Sequence, residues 1–219
     1  MNQEIPPLKR RCIVYIDGFN WYYSVLRHRP AWKWLNVESF FASLRLDEEV
    51  ITIKYFTAWV EPNRKPSLKR DRQARYIKAL ESLPKVKIIF GKYQEREVTC
   101  RASCREKYRV PEEKKTDVNI AVNLMDDAIR QRAEALIIVS GDSDLEPAVE
   151  WVRKNHHEIK ITVYIPSLPE EEKQRRNDFY GTIGVPCRFL PLSEIVRHQM
   201  PNRIVLAAGH TVEKPIEWI

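Results

Sequence analysis

The segment Ala135–Val139 reads ALIIV, apolar at every position, and runs directly into V-S-G-D-S-D-L at residues 139–145. A strand with one wet face would alternate apolar and polar residues. An unbroken apolar run of this length belongs to a strand covered on both faces. RCIVYI at 11–16 is a second short run of the same kind. Between and after these runs, strand-like and helix-like segments take turns. Strands are expected at EVITIKYFTAW (49–59), KVKIIFGKY (85–93), IKITVYI (159–165) and, as a short edge strand, PCRFLP (186–191). Helices are expected at 18–28, 36–45, 67–83, 116–131, 143–155 and 169–183, with a further short one at SEIVRHQM. Asn36, Ser67, Thr116 and Ser143 are the candidate caps, Pro84 is a stop, and Val118, Val122, Met125 and Ile129 form the apolar face of the 116–131 helix. Strands followed by helices imply parallel strands with right-handed crossovers, hence a doubly wound α/β/α sandwich.

Residues 94–113 are polar and aperiodic and are expected to form a hairpin or insertion loop. The domain is expected to span 11–199, with an N-terminal tail at 1–10 and a C-terminal tail at 200–219 whose RIVLAAG stretch would pack on the domain or on a partner. A homo-oligomer is left open. Hydrophobic content of 43% and charged content of 31% describe an ordinary folded protein. No apolar run approaches the roughly 18 residues that span a bilayer. The basic N-terminus lacks an apolar export region because Asp17 interrupts it, so the cytoplasm is the expected compartment. Cys100 and Cys104 form one C-x3-C pair, half of what structural zinc needs, and read as reduced loop thiols.

In an open parallel sheet, ligands bind outside the carboxyl ends of the strands. Asp17 follows the first buried strand, and Asp142 and Asp144 follow the strand at 135–140. Asp117 sits in the first turn of a helix that would begin at the same edge. Each has an ordinary reading: Asp117 and Asp144 favour a helix dipole, and Asp17 before Gly18 suits a turn. Together they would repel one another and raise each other's pKa. A hard cation resolves that conflict, and an oxygen-only set suits Mg2+ or Mn2+. Such an ion activates water and neutralises charge on a reacting phosphate. Asn20, one turn on, would orient a carboxylate or a water. Ser140 and Ser143 flank Asp142; either hydroxyl could meet phosphate, and the cap reading is preferred for Ser143. On an ideal helix Asp126 lies opposite Asp117, so Asp126 and Asp127 are read as solvated.

Three blocks in order, YIDGFNWYY, EEKKTDVNIAVNL and LIIVSGDSDLEPAVEWV, resemble the NYN-domain (LabA-like) family of the PIN-like nuclease superfamily, over about residues 11–191. The resemblance implies a three-layer α/β/α, Rossmann-like (PIN-like) fold with a mostly parallel central sheet, an acidic Mg2+ or Mn2+ site, and cleavage of RNA. Its D-G-x-N block implicates Asp17 and Asn20, its T-D-V block Asp117, and its S-G-D-S-D block Asp142 and Asp144. Two positions depart from the pattern: Leu145 stands where many relatives have Phe, and Asn123 where many carry an acid.

The net charge of +7 favours a polyanionic partner. Residues 64–78 hold seven Lys or Arg against one acid, and Lys65, Lys69, Arg70, Arg72 and Arg75 form a candidate phosphate-binding stripe. A second basic patch is Lys173–Arg176. Trp21, Tyr22, Tyr23, Trp32 and Trp34 either pack in the core or stack on unpaired bases, which makes single-stranded RNA the expected substrate. His156 and His157 lie at a helix end and are not assigned as bases. The expected function is therefore a metal-dependent endoribonuclease that leaves 5′-phosphate and 3′-hydroxyl ends. The alternatives are a catalytically silent RNA-binding or regulatory protein and a small-molecule phosphatase. The phosphatase is disfavoured because Asp17 is followed by Gly18 and Phe19 rather than by D-x-D.

Overall fold

The computed structural model describes residues 8–60, 67–100, 105–169, 184–206 and 209–219. The expected helix at 169–183, the patch Lys173–Arg176, Lys65 and Cys104 lie outside the described residues. The chain runs through β1 (Arg10–Asp17), α1 (Gly18–Trp21, extended by a wider turn through Leu26), α2 (Val37–Leu44), β2 (Glu48–Thr57), α3 (Leu68–Glu81) and β3 (Val86–Phe90). It continues through β4 (Lys92–Thr99), β5 (Lys107–Lys114), α4 (Thr116–Ile129), β6 (Ala135–Val139), α5 (Glu146–Asn155), β7 (Lys160–Ile165) and β8 (Cys187–Phe189).

Six strands form one sheet in the order β3-β2-β1-β6-β7-β8. Every neighbouring pair is parallel. The chain builds outward from β1 through β2 to β3, then returns to lay β6 on the other side of β1. That reversal opens a crevice beyond the carboxyl ends of β1 and β6, where doubly wound folds bind ligands. The expected three-layer α/β/α architecture is present.

Side-chain alternation along β1 divides the interior. Cys12, Val14 and Ile16 face one core with Phe40 and Phe41 of α2 and Ala79 and Leu80 of α3. Ile13 and Tyr15 face the other, with Ile120 and Leu124 of α4 and Val149 and Val152 of α5. Fully burying one large apolar side chain stabilises the fold by about 1.5–3 kcal/mol. Trp21 and Trp34 are among the largest fully buried side chains, which gives these two rings a packing role rather than a base-stacking one. Ile204, Leu206, Val212 and Trp218 also join the first core: Val212 and Trp218 are buried there, and Trp218 packs on Trp34 and Tyr76. The C-terminal segment packs on the domain.

The expected insertion is an antiparallel ribbon of β4 and β5. The strand expected at 85–93 breaks at Gly91. A Cβ there would stand 2.5 Å from Thr116 Oγ1, so only glycine lets the chain pass the start of α4.

Three local expectations are corrected. Thr116 does not cap α4; it is the first helical residue, and Lys115 is the cap, with φ of 76° and no side-chain capping bond. Ser143 does not cap α5 either. Residues Ser143–Leu145 form a 3-10 turn capped by Asp142, and α5 starts at Glu146. The buried face of α4 is Ile120, Leu124 and Ala128, whereas Val118, Val122 and Ile129 are exposed. Both apolar sets recur at helical spacing, and contact with the sheet selects one. No helix among the described residues is long and apolar enough to cross a membrane.

Candidate functional site

Asp17 ends β1 as the backbone turns into α1, and it serves as the cap of that helix. The Asn20 N–H donates to Asp17 Oδ1 at 2.9 Å, and the Ser140 hydroxyl donates to Asp17 Oδ2 at 2.9 Å. Gly18 follows because the β2 backbone crowds this corner: a Cβ would lie 2.7 Å from the Phe56 carbonyl oxygen. Asp17 is only 3% exposed. Burial pushes its carboxyl up to about 6; its two hydrogen bonds oppose that rise, and the charges of Asp117 and Asp142 add to it.

The loop after β6 is tied to the same corner. Asn20 Oδ1 accepts from the Gly141 N–H at 3.0 Å, and the Ser140 oxygen accepts from the Asp142 N–H at 3.1 Å. Asp142 Oδ1 then accepts from the Asp144 N–H at 3.0 Å. These contacts add to what the sequence implied for Asn20 and narrow the reading of Ser140. Asn20 acts through its Oδ1 as a clamp between α1 and the β6 loop. Ser140, fully buried, bridges Asp17 and Asp142 and is not placed to meet a phosphate in solvent. Ser143 stays partly accessible beside Asp144, which is exposed.

Asp117 reaches this edge from the first turn of α4, half-buried. Burial raises its carboxyl first, and the charges of Asp142 and Asp144 raise it further. Asp17 feels the charges of Asp117 and Asp142, and Asp117 feels those of Asp142 and Asp144. Carboxylates from three separate elements thus share one electrostatic field at the mouth of the β1/β6 crevice. They do not close into a preformed cage, since no group of three His, Cys, Asp or Glu among the described residues lies at metal-ligand spacing. The donor set nevertheless fits a hard divalent cation: all oxygen, partly desolvated, and carrying the like-charge conflict that a cation relieves.

The expected basic stripe is only partly realised. Lys69 is exposed at the start of α3, and the Arg70 guanidinium lies over the Trp59 ring. Arg72 pairs with Glu217 at 2.8 Å and Arg75 with Asp71 at 2.9 Å. Of the candidate stacking aromatics, Tyr22 and Tyr23 are exposed and meet edge to face, and Arg29 lies over the Trp32 ring.

Asp127 is a further correction. It is not solvated but fully buried, where it accepts from Lys54 Nζ at 2.6 Å, from Arg132 Nη1 at 2.5 Å and from the Tyr15 hydroxyl. Lys54 also donates to Asn123 Oδ1 at 2.9 Å. This network binds α4, and with it Asp117, to β1 and β2. The signal in the sequence was Lys54 itself, a lone charge inside the apolar strand ITIKYF. Asp126 is exposed as expected, paired with Arg130 and Arg132.

Comparison with known proteins adds three findings. The family model described as the NYN domain matches residues 11–181. The chain is 31% identical over 244 residues to 6-hydroxy-3-succinoylpyridine 3-monooxygenase HspA of Pseudomonas putida (strain DSM 28022 / S16), covering 97% of this chain and 76% of that protein. It also resembles the crystal structure of a protein of unknown function from Vibrio parahaemolyticus RIMD 2210633, with a TM-score of 0.53 at 19% identity. That likeness covers 85% of this chain and 96% of the other, and is one of fold.

Proposed function

This chain belongs to the NYN domain family of the PIN-like nuclease superfamily, and from that premise we propose that it is an Mg2+- or Mn2+-dependent endoribonuclease acting on single-stranded RNA. What supports the reading is the charge that these acids share: Asp17, raised to about 6 chiefly by burial, also feels Asp117 and Asp142, and Asp117 feels Asp142 and Asp144. Carboxylates gathered where they repel one another are a cost to the fold that a bound cation turns into affinity.

Asp17, Asp117, Asp142 and Asp144 would hold the ion. When bound, it supplies positive charge to the reacting phosphate and makes water a competent nucleophile at neutral pH. Ser140 keeps Asp17 and the Asp142 backbone in one orientation through its two hydrogen bonds. Asn20 fixes the Gly141 turn against α1, which limits the freedom of the Asp142 and Asp144 backbone. The Lys54–Asp127 pair holds α4, so that Asp117 keeps its distance from the β6 loop. Attack by water rather than by the 2′-hydroxyl leaves 5′-phosphate and 3′-hydroxyl ends.

The test is Asp142→Asn, assayed on end-labelled single-stranded RNA with Mn2+. Its expected rate is at least a hundredfold below the parent, the scale on which removal of one electrostatic stabiliser acts. Undiminished cutting by the variant would overturn the assignment, and binding of RNA without cutting under any divalent ion would leave a silent RNA-binding protein.

A second reading has one specific observation behind it, the 31% identity to a pyridine monooxygenase across nearly the whole chain. Hydroxylation needs O2 and an electron donor. Oxygen uptake that depends on 6-hydroxy-3-succinoylpyridine and a supplied reduced nicotinamide, with RNA left intact, would select that reading.

A further inference from the structure

Two aromatic rings stand on the same sheet edge as the carboxylates and belong to neither core. β3 ends at Phe90, which pairs in register with Thr57, and Asp17 pairs with Phe56 on the other side of β2. Phe90 is therefore two strand spacings across and one residue along from Asp17, roughly 10 Å between their backbones, with its side chain on the α3 face of the edge and that of Asp17 on the α4 face. Trp59 follows the end of β2 by two residues, and its ring stacks on Phe90 with centroids 5.2 Å apart and planes 15° from parallel. The Arg70 guanidinium, from the first turn of α3, lies 5.0 Å from the Trp59 ring centre.

The stack is built rather than incidental. Gln73 of α3 grips the backbone on both sides of Trp59: its Nε2 donates to the Ala58 carbonyl at 2.8 Å, and its Oε1 accepts from the Val60 N–H at 3.0 Å. The Phe90 carbonyl accepts from Asn119 Nδ2 at 3.4 Å, two residues beyond Asp117 in α4. Phe90 is nonetheless 40% exposed. A phenylalanine with a fixed backbone, stacked on a clamped tryptophan and still open to water, has the properties of a binding platform.

We propose that Phe90, Trp59 and Arg70 form a base-stacking subsite for an unpaired nucleotide of the RNA whose reacting phosphate lies at the four aspartates; this rests on the ribonuclease reading above. Phe90 is the ring open to a base, Trp59 backs it, and the Arg70 guanidinium over Trp59 brings positive charge to the same place. A base inside a duplex already has both faces covered, so the subsite selects single strands without selecting a sequence.

The test measures binding apart from cutting. The full chain carrying Asp142→Asn is titrated into a labelled single-stranded oligoribonucleotide and followed by fluorescence anisotropy. Adding Phe90→Ala is expected to weaken binding roughly 5- to 140-fold, the range for loss of one stacked base. Phe90→Leu, which keeps apolar bulk and guards against misfolding, should lose affinity in the same direction, and Phe90→Trp should retain it. On a probe made abasic throughout, Phe90→Ala should change nothing. The inference is overturned by Phe90→Ala or Phe90→Leu binding within twofold of the parent, by an equal loss on the abasic probe, or by a parent that does not bind single-stranded RNA. It is also overturned if Phe90→Ala abolishes binding of 6-hydroxy-3-succinoylpyridine while leaving RNA binding unmoved. If the protein with native Asp142 cuts RNA with Mn2+ and Phe90→Ala leaves KM unchanged, the subsite falls and the nuclease stands. If it does not cut but the binding pattern holds, the nuclease reading falls and the subsite stands as part of an RNA-binding protein.

Discussion

Replacing Asp17 by asparagine should make the metal-free protein more stable while removing its activity. Asp17 has a folded pKa of about 6 against an ordinary 3.8, mainly because it is buried. The ionised carboxylate therefore costs the fold roughly 3 kcal/mol relative to the unfolded chain, at the order-of-magnitude level. Asparagine keeps an acceptor for the Asn20 N–H. It loses the acceptor that takes the Ser140 hydroxyl proton, at a cost of about 1 kcal/mol. The net expected gain is about 1–2 kcal/mol at pH 8, which for a chain of this length raises Tm by roughly 2–8 °C. The sign with pH follows from proton counting. Between pH 3.8 and about 6 the folded state holds a proton that the unfolded chain has released, so stability of the parent falls as pH rises through that window. The gap between variant and parent should therefore be small at pH 4, widen to about pH 6 and then level. Mn2+ should reverse the order, because a ligand at 100 times its Kd stabilises the parent by about 2.7 kcal/mol and the variant has lost one of its four carboxylates. Thermal melts at pH 4, 6 and 8, with EDTA and with Mn2+, read all of this. A variant that melts below the parent by the same margin at pH 4 and pH 8 would refute the reasoning, because the burial of charge would then not be what distinguishes the two.

Two further perturbations follow from the packing of α4. Lys54→Met leaves Asp127 buried with Tyr15 and Arg132 for partners and should cost about 3 kcal/mol by urea denaturation; the triple variant Lys54→Met/Asp127→Leu/Tyr15→Phe should recover most of that loss, since apolar side chains replace a desolvated ion pair and the buried hydroxyl it satisfied. Leu124→Ala should cost about 2–5 kcal/mol, whereas Val122→Ala, on the exposed face of the same helix, should stay within about 0.5 kcal/mol. Equal costs at the two positions would place the wrong face against the sheet.

What the sequence decided alone was local and additive. The unbroken, β-branched apolar runs at 12–16 and 135–139 read as strands covered on both sides, and with helices between them they pointed to a parallel, doubly wound sheet. Asn36 and Ser67 announced the starts of α2 and α3 through bonds to the backbone three residues on, whereas Thr116 and Ser143, equally plausible by residue type, did not cap. The acids at strand ends followed from the sheet rule, so the place of the site was visible before its geometry. Tertiary structure decided whatever depended on which of two equivalent local choices met a distant partner. Both apolar sets of α4 repeat at helical spacing, and only the sheet buries Ile120 and Leu124 and leaves Val118 and Val122 to water. Asp127 looked solvated because its partners, Lys54 and Tyr15, lie more than 70 residues away in sequence. Asn20 and Ser140 gained their roles from Gly141 and Asp17, contacts that close only when β6 lies beside β1. The β2 and β3 ends likewise had to come into register before Trp59 and Phe90 could stack. Periodicity and capping are properties of a few neighbouring residues, and burial and charge pairing are properties of the assembled sheet edge, which no single segment contains.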